Sequence, residues 1–110
     1  MIAHGRNAGR AQVAMENIRT ATPGAEVEMI LADLSEMAQV RRFAKDVAGR
    51  TDKIDLLVNN AGFTPSRRVE TIDGMEQCFA ANHMADQYTV APAQSCGTGR
   101  ANHQHRLGCP

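Results

Sequence analysis

Apolar positions along this chain recur at two alternating spacings. Met1-Ile2-Ala3-His4-Gly5 is a short strand-like run that opens with no preceding turn or cap and gives way to Ala- and Arg-rich sequence. From there Ala11, Ala14, Met15 and Ile18 fall at helical spacing, with Arg10, Glu16, Asn17 and Arg19 off the stripe. This predicts an amphipathic surface helix, ended by Thr22-Pro23-Gly24. Residues 27–31 are the next strand candidate. Ala32-Asp33-Leu34-Ser35 leads out of it into a second helix, for which Ser35 is the expected N-cap. That helix carries Met37, Val40, Phe43, Ala44 and Val47 on one face and stops near Gly49. Ile54-Asp55-Leu56-Leu57-Val58 then reads as a third strand, short, continuous and apolar, as suits burial on both faces. It runs directly into the polar turn Asn59-Asn60-Ala61-Gly62. A loop through Pro65-Ser66-Arg67-Arg68 precedes a third helix, expected to begin between Thr71 and Gly74 and to carry Met75, Cys78, Phe79 and Asn82.

The predicted order is β-α-β-α-β-α. Strands that alternate with amphipathic helices pair in parallel through right-handed crossovers, giving an α/β sheet with helices on both faces. In such sheets ligands bind at the carboxyl ends of the strands, where the turn at residues 59–62 lies. After Ala85 the apolar periodicity fails, so the expected division is a folded unit over residues 1–85 and an aperiodic, disordered tail over 86–110.

Composition narrows the functions open to it. A chain of 110 residues with 43% hydrophobic content is one globular domain at most, with a modest core. Twelve basic and 12 acidic side chains leave no net charge, which argues against a nucleic-acid footprint or a polybasic membrane contact. The apolar runs are too short to span a bilayer and the N-terminus lacks the order of a secretion signal, so the expected location is cytoplasmic. Cys78, Cys96 and Cys109 are irregularly spaced and suggest neither a disulfide framework nor a metal site. His103-x-His105 has no further ligands at metal spacing, so no metal is expected. His4 reads as a surface or strand-edge residue.

Three spaced signals carry a family resemblance. Asn59-Asn60-Ala61-Gly62 after an apolar strand, Asp33-Leu34 after the strand before it, and Thr71-x-Asp73-Gly74-x-Glu76 leading into Asn82-His83 together resemble the short-chain dehydrogenase/reductase family, in its retinol-dehydrogenase-like, NADP-dependent form. The resemblance covers residues 1–85 and implies part of a Rossmann-like, doubly wound parallel sheet.

It also implies roles. An asparagine of the 59–62 turn, Asn60 among the cofactor contacts, ties adjacent strands together, while the Ala61-Gly62 backbone passes close to the cofactor ribose. Glycine suits a place where a ligand must approach the backbone. Asp33 matches the carboxylate that accepts a hydrogen bond from the adenine amino group, and the Leu34 backbone shares that task. The plainer reading of Asp33 is a carboxylate leading a helix. Arg6 ends the strand that faces the adenosine 2′ position. An arginine there binds a 2′-phosphate through charge-assisted hydrogen bonds, which favours NADP over NAD, and Asn7 could add a neutral donor. A solvated arginine at a helix start is the alternative. Asn82 matches the helix asparagine that holds a water in the proton relay to the catalytic lysine. Without that lysine it is a helix residue with a spare amide, and His83 beside it reads as a packing residue.

The sequence also departs from the family. The glycine-rich T-G-x-x-x-G-x-G turn that cradles the pyrophosphate is not in it, nor are the first strand and helix. The catalytic serine and the Y-x-x-x-K pair are also missing, since the only tyrosine, Tyr88, has Pro92 four residues on. The resemblance therefore implies an internal fragment of a carbonyl or alcohol oxidoreductase, inactive alone. The codons available to residues 101–108, read one base later, permit a run resembling the family's R-I-I-N-T-A-S strand, so a frameshift near Asp86 would account for the tail. Two other functions compete. One is a non-catalytic nucleotide-binding or interaction module that pairs through an exposed sheet edge, as a homo-oligomer does. The other is a remnant without function, whose uncovered sheet favours aggregation.

Overall fold

The structure is a computed structural model that describes residues 1–88. Two parallel strands, β1 (Ile2–Gly5) and β2 (Glu28–Leu31), flank the helix α1 (Ala8–Ala21), and the helix α2 (Met37–Ala48) follows β2. The short helix α3 (Gln77–Phe79) opens into a π-turn (Ala80–Met84), beyond which residues 85–88 are again α-helical. That helical run extends to Tyr88, past the point where the apolar periodicity fails. The expectations for the tail from residue 89 onward, including Cys96, Cys109, the two histidines and the frameshift, lie outside the described residues.

The β1-α1-β2 unit has its expected form. Ile2 pairs with Glu28 and Gly5 with Leu31, in parallel. Asn7 supplies the cap that the reading of the opening segment missed: its side chain accepts from the Arg10 N–H, and its own backbone is extended. The chain leaves α1 through Gly24 at φ +87°, a conformation that favours glycine. Ala11 of α1 packs over Gly5, where a β-carbon would lie 3.6 Å from the Ala11 β-carbon. His4 lies on an edge strand, one of the two places expected, but not at the open surface. Half-buried, it donates from Nε2 to the Ala32 carbonyl at 2.8 Å and meets the Phe43 ring edge-on at 5.1 Å, which ties the end of β2 and α2 to β1.

The start of α2 differs from expectation. Ser35 is not its cap. Asp33 Oδ1 accepts from both the N–H and the hydroxyl of Ser35, at 2.9 and 2.6 Å, and this tight turn occupies the hydroxyl. The helix begins two residues later, and the Met37 N–H donates instead to Asp73 Oδ2 at 2.9 Å, from 36 residues away. The third helix also starts later than its sequence suggests. Residues 71–76 fold into a turn closed by the Thr71 N–H on the Met75 carbonyl and the Gly74 N–H on the Thr71 carbonyl, with Gly74 at φ +73°. Glu76 then caps α3 by accepting from the N–H groups of Cys78 and Phe79, which hold its carboxyl below the usual range. The main core lies between α2 and the last helical run. Met37 and Val40 pack on Ala80 and Ala85, and Leu34, Met75, Met84 and Tyr88 close over them. Alanines on one face allow that close approach.

The third strand is where expectation and structure part. Residues 54–62 belong to no strand, bend at Asp55, and make no backbone–backbone hydrogen bond among the described residues. Among the described residues the sheet has two strands, β1 and β2, and residues 54–62 pair with neither. A strand cannot form without a partner, because its N–H and C=O groups are satisfied only across the ladder. Leu56 and Val58 accordingly stand 68% and 70% exposed. A cavity of about 980 Å³, lined among others by Ile2, Val27, Phe43, Val47, Ile54 and Leu57, lies beside them. No helix among the described residues is long and apolar enough to cross a membrane.

The remote cap gives a test. Asp73→Ala should lower stability by about 1 kcal/mol and Asp73→Asn, which keeps an acceptor, by less, read as urea midpoints followed by circular dichroism.

Candidate functional site

Parallel pairing brings two polar stretches to one edge. Gly5 lies opposite Leu31, so Arg6-Asn7 and Ala32-Asp33-Leu34 leave the sheet side by side at its carboxyl end. The Ala32 N–H bonds the Gly5 carbonyl at 3.1 Å and holds the two exits together. Asp33 is fixed at several points: Ser35 bonds its Oδ1 twice, and its own N–H donates to Gln39 Oε1 at 2.9 Å. Gln39 is held in turn by its donation to Glu36 at 2.7 Å. Partial burial pushes the Asp33 carboxyl up. The Ser35 hydroxyl and N–H, with the nearby Arg6 and His4, outweigh that push and leave it below its ordinary value. At neutral pH it is therefore an anion and an acceptor.

Hydrogen-bonding capacity remains open at this edge. Among the described residues no hydrogen bond occupies Asp33 Oδ2, the Leu34 N–H or the Arg6 guanidinium. Asn7 commits its oxygen to capping α1 and keeps its amide N–H groups. Exposed Arg6 places its Cζ 5.8 Å from the centre of the Phe63 ring. Arg6 and Asn7 line a smaller cavity of about 560 Å³ together with His4, Gly5, Arg10 and Met29, whereas Asp33 and Leu34 do not line it. An acceptor next to a backbone donor fits the amino group and adjacent ring nitrogen of a purine. A free guanidinium fits a phosphate.

The turn at 59–62 meets the last helical run through one residue. Asn82 accepts from the Phe63 N–H at 3.1 Å and donates to the Phe63 carbonyl at 2.8 Å, while its amide also reaches Cys78 Sγ at 3.2 Å. Its amide is thus not spare: it is committed to holding the chain just past Gly62. The π-turn centred on Asn82 widens the helix at this point, a local distortion frequent at functional sites. Asn60, Ala61 and Gly62 are exposed, and among the described residues no hydrogen bond ties Asn59 or Asn60 to a strand. A β-carbon on Gly62 would meet Asn82 Oδ1 at 3.8 Å, an ordinary contact, so this chain's own packing does not require glycine there. His83 stacks on Phe79 with centroids 5.3 Å apart, a packing role as expected.

The edge thus joins Arg6, Asp33 and Leu34, with Phe63 and Asn82 beside them. Sequence reasoning passed over Ser35, Gln39, Asp73 and Phe63 as contributors. For Asp73 and Glu76 the signal was present in Thr71-x-Asp73-Gly74-x-Glu76, but the spacing alone does not say which N–H each carboxylate meets.

Two parallel strands joined by a helical crossover, with polar groups gathered at their carboxyl ends, define the doubly wound α/β class. The family model described as short chain dehydrogenase matches residues 1–92, and the chain belongs to that family. A short chain dehydrogenase/reductase, dpchH, of Colletotrichum higginsianum (strain IMI 349063) is 39% identical over 82 residues, covering 72% of this chain and 20% of the relative. Retinol dehydrogenase 13 of Homo sapiens is 30% identical over 79 residues, covering 72% and 24%. A short-chain dehydrogenase from Sphingobium yanoikuyae, solved in complex with NADPH, superimposes with a TM-score of 0.69 at 26% identity, covering 91% of this chain and 41% of that one. The chain therefore spans a fifth to a quarter of the length of these curated relatives.

Two measurements test the geometry. The carboxyl of Asp33 lies lower in the folded chain than in the unfolded one, so its contribution is complete above the ordinary carboxylate range and fades as pH falls through the lowered value. Asp33→Asn should therefore flatten the acid limb of a stability–pH curve obtained from urea unfolding. Asn82→Ala removes both bonds to Phe63 and should cost about 1–3 kcal/mol by the same method.

Proposed function

We propose that this chain forms the adenosine-side wall of a nicotinamide dinucleotide site in an NADP-dependent oxidoreductase acting on a small carbonyl or alcohol. The observation that carries the reading is the convergence of Arg6, Asp33 and Leu34 at one sheet edge, where no hydrogen bond among the described residues engages Asp33 Oδ2, the Leu34 N–H or the Arg6 guanidinium. In this reading ionised Asp33 accepts from the adenine amino group and the Leu34 N–H donates to the ring beside it. Arg6 and the Asn7 amide meet the 2′-phosphate, and the backbone of Asn60, Ala61 and Gly62 borders the ribose. The NADPH complex of the Sphingobium enzyme supports the choice of cofactor. The cofactor supplies hydride chemistry when bound. Asn82 serves by holding the Phe63 backbone, and through it the ribose-side turn. Hydride exchange with a carbonyl also needs a proton donor, and this sequence contains no Y-x-x-x-K pair, so these 110 residues bind without turning over. The same proposal includes a cytoplasmic location.

One observation favours a second reading, an interaction module. The Met1 and Gly5 carbonyls face β2, so strand alternation turns the backbone of Ile2 and His4 to the opposite edge, where no described strand pairs. That edge and the unpaired, apolar residues 54–58 suit pairing with a second copy of the chain.

Fluorescence titration of the chain with NADPH, and with NADH as control, decides the first reading. NADPH should bind more tightly, and Arg6→Ala should weaken it at least about tenfold while leaving NADH unchanged. Equal affinities would exclude the assignment of Arg6. For the second reading, sedimentation should show a concentration-dependent dimer that Leu56→Lys with Val58→Lys returns to monomer. A monomer at every concentration excludes it.

A further inference from the structure

We infer that Phe63 is a positioning residue for the 2′-phosphate of the cofactor, holding the Arg6 guanidinium ready in the cleft. The inference rests on the assignment of Arg6 above and extends it to a residue outside the 59–62 turn. Arg6 is an exposed side chain at a strand end, and a free arginine there gives up much rotamer freedom when it grips an anion. Here the guanidinium is already placed over the Phe63 ring at 5.8 Å, within the range of cation–π attraction. Contact with an aromatic face leaves the N–H fork at the guanidinium edge available for a phosphate. A partner that was a carboxylate would occupy that fork, and among the described residues no ion pair engages Arg6. The Arg6 charge also helps hold the Asp33 carboxyl low, and among the described residues no salt bridge joins the two.

The ring itself is anchored. Asn82 bonds both the N–H and the carbonyl of Phe63, which fixes the backbone from which the ring projects. A path of direct contacts therefore runs from Asn82 through Phe63 to Arg6, linking the last helical run to the adenosine edge. Prior placement of the cation reduces the ordering that binding must impose, and it does so only for ligands that carry the 2′-phosphate.

Adenosine 2′,5′-bisphosphate and adenosine 5′-monophosphate isolate this effect, because both need only the adenosine wall. Calorimetric titration of the full chain should show a preference for the bisphosphate. Phe63→Ala and Phe63→Leu should reduce that preference about two- to fivefold, the scale of an exposed cation–π contact, with affinity for the monophosphate unchanged. Phe63→Tyr should restore it. If Phe63→Ala fails to fold by circular dichroism, the Leu and Tyr variants decide the matter. A wild-type preference retained in Phe63→Leu, or an equal loss of both ligands, overturns the role of Phe63. The assignment of Arg6 still stands in that case if Arg6→Ala abolishes the preference. Failure of the wild type to distinguish the two nucleotides, or to bind either, overturns both.

Discussion

The parallel registration of Ile2–Gly5 against Glu28–Leu31 is the constraint on which the candidate site depends, because it alone brings Arg6 within reach of Asp33. The two residues are far apart in sequence and belong to separate loops. Ladder bonds ending in the Ala32 N–H on the Gly5 carbonyl set the two exits level, and His4 locks them by donating to the Ala32 carbonyl. A slip of one residue would turn His4 away from Phe43 and move Asp33 off the edge. The turn made by Asp33 and Ser35, with Gln39 bonding the Asp33 N–H, then aims the carboxylate.

A second set of contacts holds the far side. Asp73 caps α2 from a distant turn, Glu76 caps the helix after it, and Asn82 reaches back to Phe63. Together with the packing of Val40 on Ala80 and Ala85, they hold residues 63–88 even though the stretch before them has no sheet partner among the described residues. Side-chain acceptors and donors here do work that backbone ladders do in a complete sheet. That is why the wall of the candidate site can persist beside residues 54–62, whose backbone makes no backbone hydrogen bond among the described residues.

Much of the fold was legible in the sequence where the pattern is local. The stripe of Ala11, Met15 and Ile18, the Thr22-Pro23-Gly24 stop and the apolar face through Met37 and Val40 each depend on residues within a few turns of one another. The helices they predict are the helices observed. The acidic residue after β2 and the asparagine-rich turn also pointed to the family. The misjudged elements depend on distant groups. Ser35 has the chemistry of a cap, but its hydroxyl goes to Asp33, and the cap comes from Asp73. Asn82 looked like an unused amide until Phe63 was seen opposite it.

By itself, then, the sequence determined the order of elements, their amphipathic faces and the family, since these follow from propensity, periodicity and short motifs. The tertiary structure decided which polar groups face which. It also decided that residues 54–62, whose composition is that of a buried strand, pair with no strand among the described residues. β-Branched residues such as Ile54 and Val58 suit a pleated, half-buried strand. A strand also needs a neighbour to receive its hydrogen bonds, and that condition is a property of the assembled sheet.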